Sequence, residues 1–526
     1  MTALRTRPTL GIQIQDQPLD PAQMAAVAAV RVRQRLSLPS QCEIDLVQPD
    51  ELDTELAIAP GMSLAVVVKG AETALFEGEV TAVEHSYGPG GEHELRVRGY
   101  DLLHRLRKHQ PVRAHVQVTV IELARELVAP LRLGVADLAP GTDDGPRWPY
   151  WLQTGPDSLA TLAALAERCG LYFALRDGAV HFFSLSGLAP ATSAAAATSA
   201  AATPAAEAIP LRRGDNLVQA AIEVNADPAC RKVAAGGWPV TDTAEHAGHA
   251  SEARTGRKVE ASAPPSAVAS DGQRNLVDVA APTSAHAVAE AQAELDRRVA
   301  REVVLRATAD GDPRLAPGAW VSVSGVSPSV AGRYVLTEVD HRIDADHGYL
   351  SDISTAPPAT PAPSPPTATL GVVCAVDLAA GRVRARLPAQ YDVETEWMQV
   401  VLPAAGSGKG LVLMPVVGDR VLVLFCHALP GQAVVLGGLY GADGPPDNDG
   451  PRAADKTDGP FYLRTPGGHL VQLDDHGKSL LVRDGKGSYV ELKPGRIRVH
   501  ARGDLVLEAP GKRVLIRGDA IDFERG

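Results

Sequence analysis

Near its C-terminus the chain places glycine at a fixed step of eight: Gly495, Gly503 and Gly511. In the octads between them Ile497, Val499, Leu505 and Leu507 fall on one face of a period-two strand. A repeat of this kind implies that one unit stacks on the next. Two or three inward apolar side chains per octad gain roughly 5–9 kcal/mol, whereas fixing eight backbones costs on the order of 8–16 kcal/mol. A single copy therefore does not hold a fold. Winding three chains about one axis does, because each strand edge then has a neighbour and the inward faces make a shared core. The other fold open to these residues is an up-and-down sheet closing a globular domain. Upstream strands Leu480–Val482 and Tyr489–Leu492 continue the pattern, so a trimeric β-helical needle is expected over residues 459–526. Its core candidates are Ile497, Val499, Leu505, Leu507, Val514 and Ile516; the shift of register after Pro510-Gly511 calls for a bulge or a change of face.

At 526 residues the chain should hold several domains. No stretch approaches eighteen uninterrupted apolar residues, so no membrane span is read. The opening Met1–Pro8 lacks the apolar core of a secretory signal. Cys42, Cys169, Cys230, Cys374 and Cys426 lie far apart with no C-x-x-C pair, so they read as small apolar side chains and not as zinc ligands. A formal net charge of -12 opposes an electrostatic grip on nucleic acid, and aromatics at 4% leave few stacking platforms for bases or sugars.

Two low-complexity stretches punctuate the chain. Residues 189–207, almost entirely Ala, Thr, Ser and Pro, read as a surface loop inside a domain. The Pro-rich stretch 356–367 reads as a stiff, extended linker and the main boundary. Before it, residues 1–355 mix α and β. Strands are expected at Leu10–Gln15, Val30–Leu36, Leu64–Val68, Phe76–Glu84, Trp320–Val323 and Tyr334–Arg342. Helices are expected at Val120–Leu127, with Thr119 and Glu122 as a capping box, at Ser158–Cys169, stopped by Gly170, and at Ser284–Arg301. In the last of these, Val288, Gln292, Leu295 and Val299 trace the apolar stripe. After the linker the chain is all β: five short strands within 368–442 suit an OB-fold barrel.

No constellation reads as catalytic, cofactor-binding or metal-binding. Asp474-Asp475-His476 sits where a hairpin turn closed by Gly477 favours those residues. His246 and His249 lie in an Ala/Gly/Glu loop without further ligands, and Gly406-x-Gly408-x-Gly410 opens no helix, so its glycines serve tight turns. Ser184 and Ser186 lie near His181 without a nucleophile elbow around them.

Three segments resemble one family, the spike proteins of contractile injection machines: phage tail hub and spike proteins, VgrG proteins of type VI secretion, and extracellular injection-particle relatives. Val97–Leu106 resembles the hub-domain signature, and Trp151–Phe173 is similar to a helix-then-strand segment of the phage late-control D group. Gly311–Val321 followed by Gly332–His341 resembles the close of that domain. Trp397–Leu411, Pro415–Phe425 and Val435–Tyr440 resemble the OB domain of the phage spike.

The resemblance implies a mainly β protein with an α+β N-terminal hub, an OB-fold barrel and a trimeric needle. It implies a homotrimeric structural spike beneath the inner tube, with inner tube and baseplate proteins as partners, effector cargo, and a target membrane met only on injection. The apolar apical end near Ile521 and Phe523 points to a separate PAAR-like tip protein. Residues 441–459 are too few for a catalytic domain between barrel and needle, so the spike is expected to be enzymatically bare. Assembly in the cytoplasm is implied, as is membership of an extracellular particle or phage-like tail in preference to type VI secretion. Two rivals from other classes stand beside this. A glycan- or peptidoglycan-degrading tailspike would need carboxylate pairs and aromatic subsites. An OB-fold nucleic-acid module would need a basic groove with interleaved aromatics.

Overall fold

The computed structural model describes residues 8–47, 57–138, 142–153, 155–188, 208–240, 243–359, 365–426, 431–441, 444 and 461–524. The expected loop 189–207 lies outside them, as do parts of the Pro-rich stretch and most of the segment 441–459. The chain divides into two compact units, Met1–Gly441 and Ala442–Gly526.

An eleven-stranded antiparallel sheet organises the first unit. Strand Val27–Arg35 lies between Gln41–Val47, its neighbour in sequence, and Glu338–Asp344, which comes from the far end of the hub region. Alternation of apolar and polar residues puts Val30 and Val32 into the core and leaves Arg31 and Arg33 on the opposite face. From Glu338–Asp344 the sheet continues through Gly348–Ser354 and Val303–Asp310 to Leu217–Val224. From Gln41–Val47 it continues through His93–Tyr100 and Phe76–Tyr87 to Ser63–Val68 and Leu10–Ile14.

Among the described residues four α-helices accompany this sheet: α1 (Pro21–Ala26), α2 (Val120–Val128), α3 (Ser158–Arg168) and α4 (Ser284–Glu302). The expected capping box of α2 is formed, with Thr119 Oγ1 accepting from Glu122 N and the Glu122 carboxylate accepting from Thr119 N. α3 stops where Gly170 turns to φ +67°. α2 and α3 pack their apolar faces with Trp148, Trp151 and Phe173 in a core of their own.

In α4 the buried stripe is Ala287, Ala291 and Leu295, while Val288 is exposed. The expected stripe holds at Leu295 and Val299, which pack in the same core, and is one position off at Val288 and Gln292, where Ala287 and Ala291 are buried instead. Small residues face inward because α4 lies almost against strand His246–Ala250, where a Cβ on Gly248 would meet Val288 N at 2.2 Å. His246 and His249 accordingly sit in that strand and not in a loop. The expected single strand Tyr334–Arg342 is two, Gly332–Val335 and Glu338–Asp344. Between them the chain changes sheets: Leu336 N bonds Ala319 O on one side and Thr337 N bonds Ser354 O on the other.

The barrel strands Thr367–Asp377, Arg382–Leu387, Met398–Val400, Arg420–Phe425 and Ala433–Leu439 close on themselves, since the first pairs with both the second and the fourth. The barrel is seated on hub strand Trp148–Gln153. Tyr150 and Leu152 join its apolar core, and Tyr150 Oη donates to Glu394 O at 2.7 Å.

Candidate functional site

In the second unit five short strands run up and down: Phe461–Arg464, Leu470–Asp474, Ser479–Arg483, Tyr489–Lys493 and Arg496–His500. Their turns are made by local polar caps. Asp474 Oδ1 accepts from Gly477 N at 2.8 Å, and Asp484 Oδ1 accepts from Lys486 N and Ser488 N, each at 2.8 Å. Residues directly opposite in a ladder share a face, and here the register aligns two complete apolar rows. One is Leu463, Val471, Val482, Val490 and Val499; the other is Phe461, Leu473, Leu480, Leu492 and Ile497. The opposite face is mainly polar, with Tyr462, Gln472, Glu491 and Arg498 in one of its rows. Nothing within the unit covers the apolar face: among its described residues Leu470 is the only buried apolar one, and Ile497 is 71% exposed.

Ile497 and Val499 therefore end the two rows, and the upstream rows extend the surface beyond the residues expected from the octads. Alternation in Phe461–Leu463 and Leu480–Val482 carried that signal. Leu505, Leu507, Val514 and Ile516 lie past His500, the last strand residue described, and all are exposed, as are Ile521 and Phe523.

A second open surface is the polar face of the hub sheet. Charges of opposite sign alternate across its strands. Arg31 donates twice to Asp340 Oδ1 and Oδ2, at 2.9 and 3.1 Å through Nε, and Arg33 approaches the same carboxylate at 3.5 Å. Arg98 and Arg96 bond Glu43 and Asp45 at 3.1 and 2.7 Å. Burial alone would raise Asp340, but the Arg31 hydrogen bonds hold it below the usual carboxylate range.

The residues that invited a catalytic reading are accounted for by backbone structure. Gly406 and Lys409 exchange backbone hydrogen bonds across a tight turn with Gly408 at φ +69°. Ser184 and Ser186 bond each other at 2.8 Å, and His181 lies in strand Ala179–Phe183 with its proton affinity lowered by burial. Cys42 and Cys169 are buried, and desolvation pushes the Cys169 thiol up to about 12. Among the described residues no group of three His, Cys, Asp or Glu could hold a metal ion. Nor is any described helix long and apolar enough to cross a membrane. A cavity of about 220 Å³ at the seat of the barrel is lined by Trp148, Trp151, Trp397, Arg382 and Glu396. The Arg382 and Arg384 guanidinium groups already lie 5.8 and 5.4 Å from the Trp397 ring centroid.

Residues 33–347, more than half of the chain, match the phage tail baseplate hub (GPD) family. The chain belongs to that family. Residues 369–440 of this hub protein match the type VI secretion system/phage-baseplate injector OB domain, the closed barrel described above. Among solved structures it resembles a chain of the Francisella PdpA-VgrG complex in its half-lidded form. That likeness has 8% identity and a TM-score of 0.53, and covers 95% of this chain and 89% of the other. It also resembles an E. coli component of the type VI secretion system, itself similar to bacteriophage T4 tail proteins. There the identity is 15% and the TM-score 0.50, covering 81% of this hub protein and 99% of the other. At such identities the likeness is one of fold. No curated protein matches the sequence.

Proposed function

We propose that this hub protein is the central spike of a contractile injection machine, a homotrimer acting by structure and not by catalysis. The observation that carries the reading is the ten-residue apolar face of the C-terminal sheet, two unbroken rows with no covering layer among the described residues of their own unit. At about 1.5–3 kcal/mol for each large apolar side chain taken from water, such a face strongly favours association. Three copies facing one axis would bury all three faces in one dry core. The octads that follow, with Leu505, Leu507, Val514 and Ile516, would then pair between chains and extend that core into a needle, and Ile521 and Phe523 would meet a PAAR-like tip. Membership of the baseplate hub family supports baseplate proteins, and with them the inner tube, as partners, and a phage-tail-like particle as the setting. We favour an extracellular particle or phage-like tail, assembled in the cytoplasm and carrying effector cargo. When the sheath contracts, the interlocked backbone hydrogen bonds of the needle would take axial load as it enters the target envelope.

The test is the solution mass of the full chain by light scattering at micromolar concentration. Three times 55.1 kDa is the expected result. A monomer would overturn the reading.

A further inference from the structure

A cleft of about 890 Å³ opens at one end of the hub sheet, where strand Leu10–Ile14 ends and strands Ser63–Val68 and Phe76–Tyr87 begin. Pairing sets Gln13 opposite Ala65 and Ala65 opposite Glu77, so these residues share one face and make one wall of the cleft. The tight turn between strands Tyr172–Arg176 and Ala179–Phe183 makes another, with Arg176, Asp177 and Gly178. The volume lies at the upper end of the roughly 300–1,000 Å³ usual for ligand sites.

Most charges around this cleft are satisfied by their neighbours. Glu79 is held by His104 and Arg105, Arg314 by Asp312, and Asp101 accepts from Ser40 N and Leu103 N. Arg176 is the exception. Its Nη2 donates to Pro317 O, its Nε is buried with no acceptor, and among the described residues it forms no ion pair. Asp177, next along the chain, gives it a field but no bond, and burial lowers the proton affinity of the guanidinium. A half-buried guanidinium without a carboxylate is costly to keep until a partner arrives. Gln34, in the same cleft, is unfinished in the opposite sense. Its Nε2 makes one long bond, 3.4 Å to Leu75 O, and its Oε1 is buried with no donor.

We propose that the cleft binds a short, extended peptide segment of a partner protein, with a carboxylate of the peptide on Arg176 and a basic side chain beside Glu77 and Asp16. The site lies within one copy, so it goes beyond the trimer reading and does not depend on it.

The occupant is fixed by what the walls lack. Arg176 needs an anionic acceptor that can meet its planar fork. Gln34 Oε1 needs an N–H. Phe76, Leu133 and Leu175 offer apolar wall between them, and Asp16, Glu77 and Asp177 are exposed and attract a cation. A molecule that carries a carboxylate, amide N–H groups, apolar side chains and a basic group along its length is a peptide. A polyanion such as nucleic acid would meet the same exposed carboxylates and be repelled.

Arrays of random hexapeptides, probed with the fluorescently labelled full chain, test this. One array leaves the C-terminal carboxylate free and the other amidates it. Signal should concentrate on peptides that combine a carboxylate with lysine or arginine. Selection confined to the first array assigns a C-terminal carboxylate to Arg176, whereas a fixed Asp or Glu position in the second assigns a side chain. For the selected peptides Arg176→Met should weaken binding by about tenfold or more, as loss of a charge-assisted pair does. Glu77→Gln should remove the preference for the basic residue and keep that for the carboxylate, and Arg306→Met, outside the cleft, should change neither. If Arg176→Met does not fold, Arg176→Lys keeps the charge without the fork and should still weaken binding. No selection by the wild type, or selection unchanged at Arg176→Met and Arg176→Lys, would overturn the site and leave the trimer reading as it stands.

Discussion

The two units make their sheets from the same alternation of apolar and polar residues, and end with opposite degrees of self-sufficiency. In the first unit the main apolar faces of the described residues are covered within the chain. α4 lies on the sheet that includes His246–Ala250, α2 and α3 enclose Trp148 and Phe173, and the barrel closes around Val383, Val421 and Val435. In the second unit two apolar rows of equal regularity lie open. Local pattern decides that a strand forms and which face is apolar. Whether the cover comes from the same chain is a matter of what else that chain supplies, and after Gly441 this one supplies no described helix.

That contrast can be broken by substitution. The largest effect is expected from Val490→Asp, which would place three carboxylates in the needle core at a cost of several kcal/mol each, on the order of 3–5. Light scattering should show loss of the trimer, whereas Arg498→Asp on the opposite face should retain it. Equal behaviour of the two would remove the assignment of the inner face. Next, Leu162→Ala in α3, where the side chain is fully buried, should destabilise the first unit by about 2–5 kcal/mol. Calorimetry should register the lower transition while the oligomeric mass stays unchanged.

The units should also differ in their response to pH. Burial raises Asp101 to about 6, although it accepts from Ser40 N and Leu103 N. A raised folded-state pKa favours the folded state fully below the ordinary carboxylate range, and that advantage is lost as pH rises through 6. The loss is on the order of 2–3 kcal/mol between pH 4 and 7. Urea midpoints for the wild type and Asp101→Asn should therefore diverge in the variant's favour over this interval; a constant gap would refute the assignment. The smallest effect is expected at the turn. His476→Ala should change stability by no more than about 0.5 kcal/mol, and a larger loss would reopen a role for Asp474-Asp475-His476.

Much of this was legible in the sequence because it is local. Thr119 with Glu122, Gly170 after α3 and the five barrel strands were read from spacing and punctuation. The pairing of Val27–Arg35 with Glu338–Asp344 was not, because neither strand carries a mark of its distant partner. In the first half of α4 the stripe was misplaced by one residue, at Val288 and Gln292 instead of Ala287 and Ala291, because alanine gives a weak apolar signal, and its burial depends on Gly248 across the contact. In the C-terminal sheet, Ile497 and Val499 were readable as one face, but the full extent of that face required the register of all five strands.

The seat of the barrel has a mechanical consequence. Tyr150 and Leu152 belong at once to a hub strand and to the barrel's interior, and Tyr150 Oη is tied to Glu394 O. A joint whose two sides share one close-packed interior resists bending, because any tilt would open a void on one flank and crowd atoms on the other. Hub and barrel should thus move as a single stiff body.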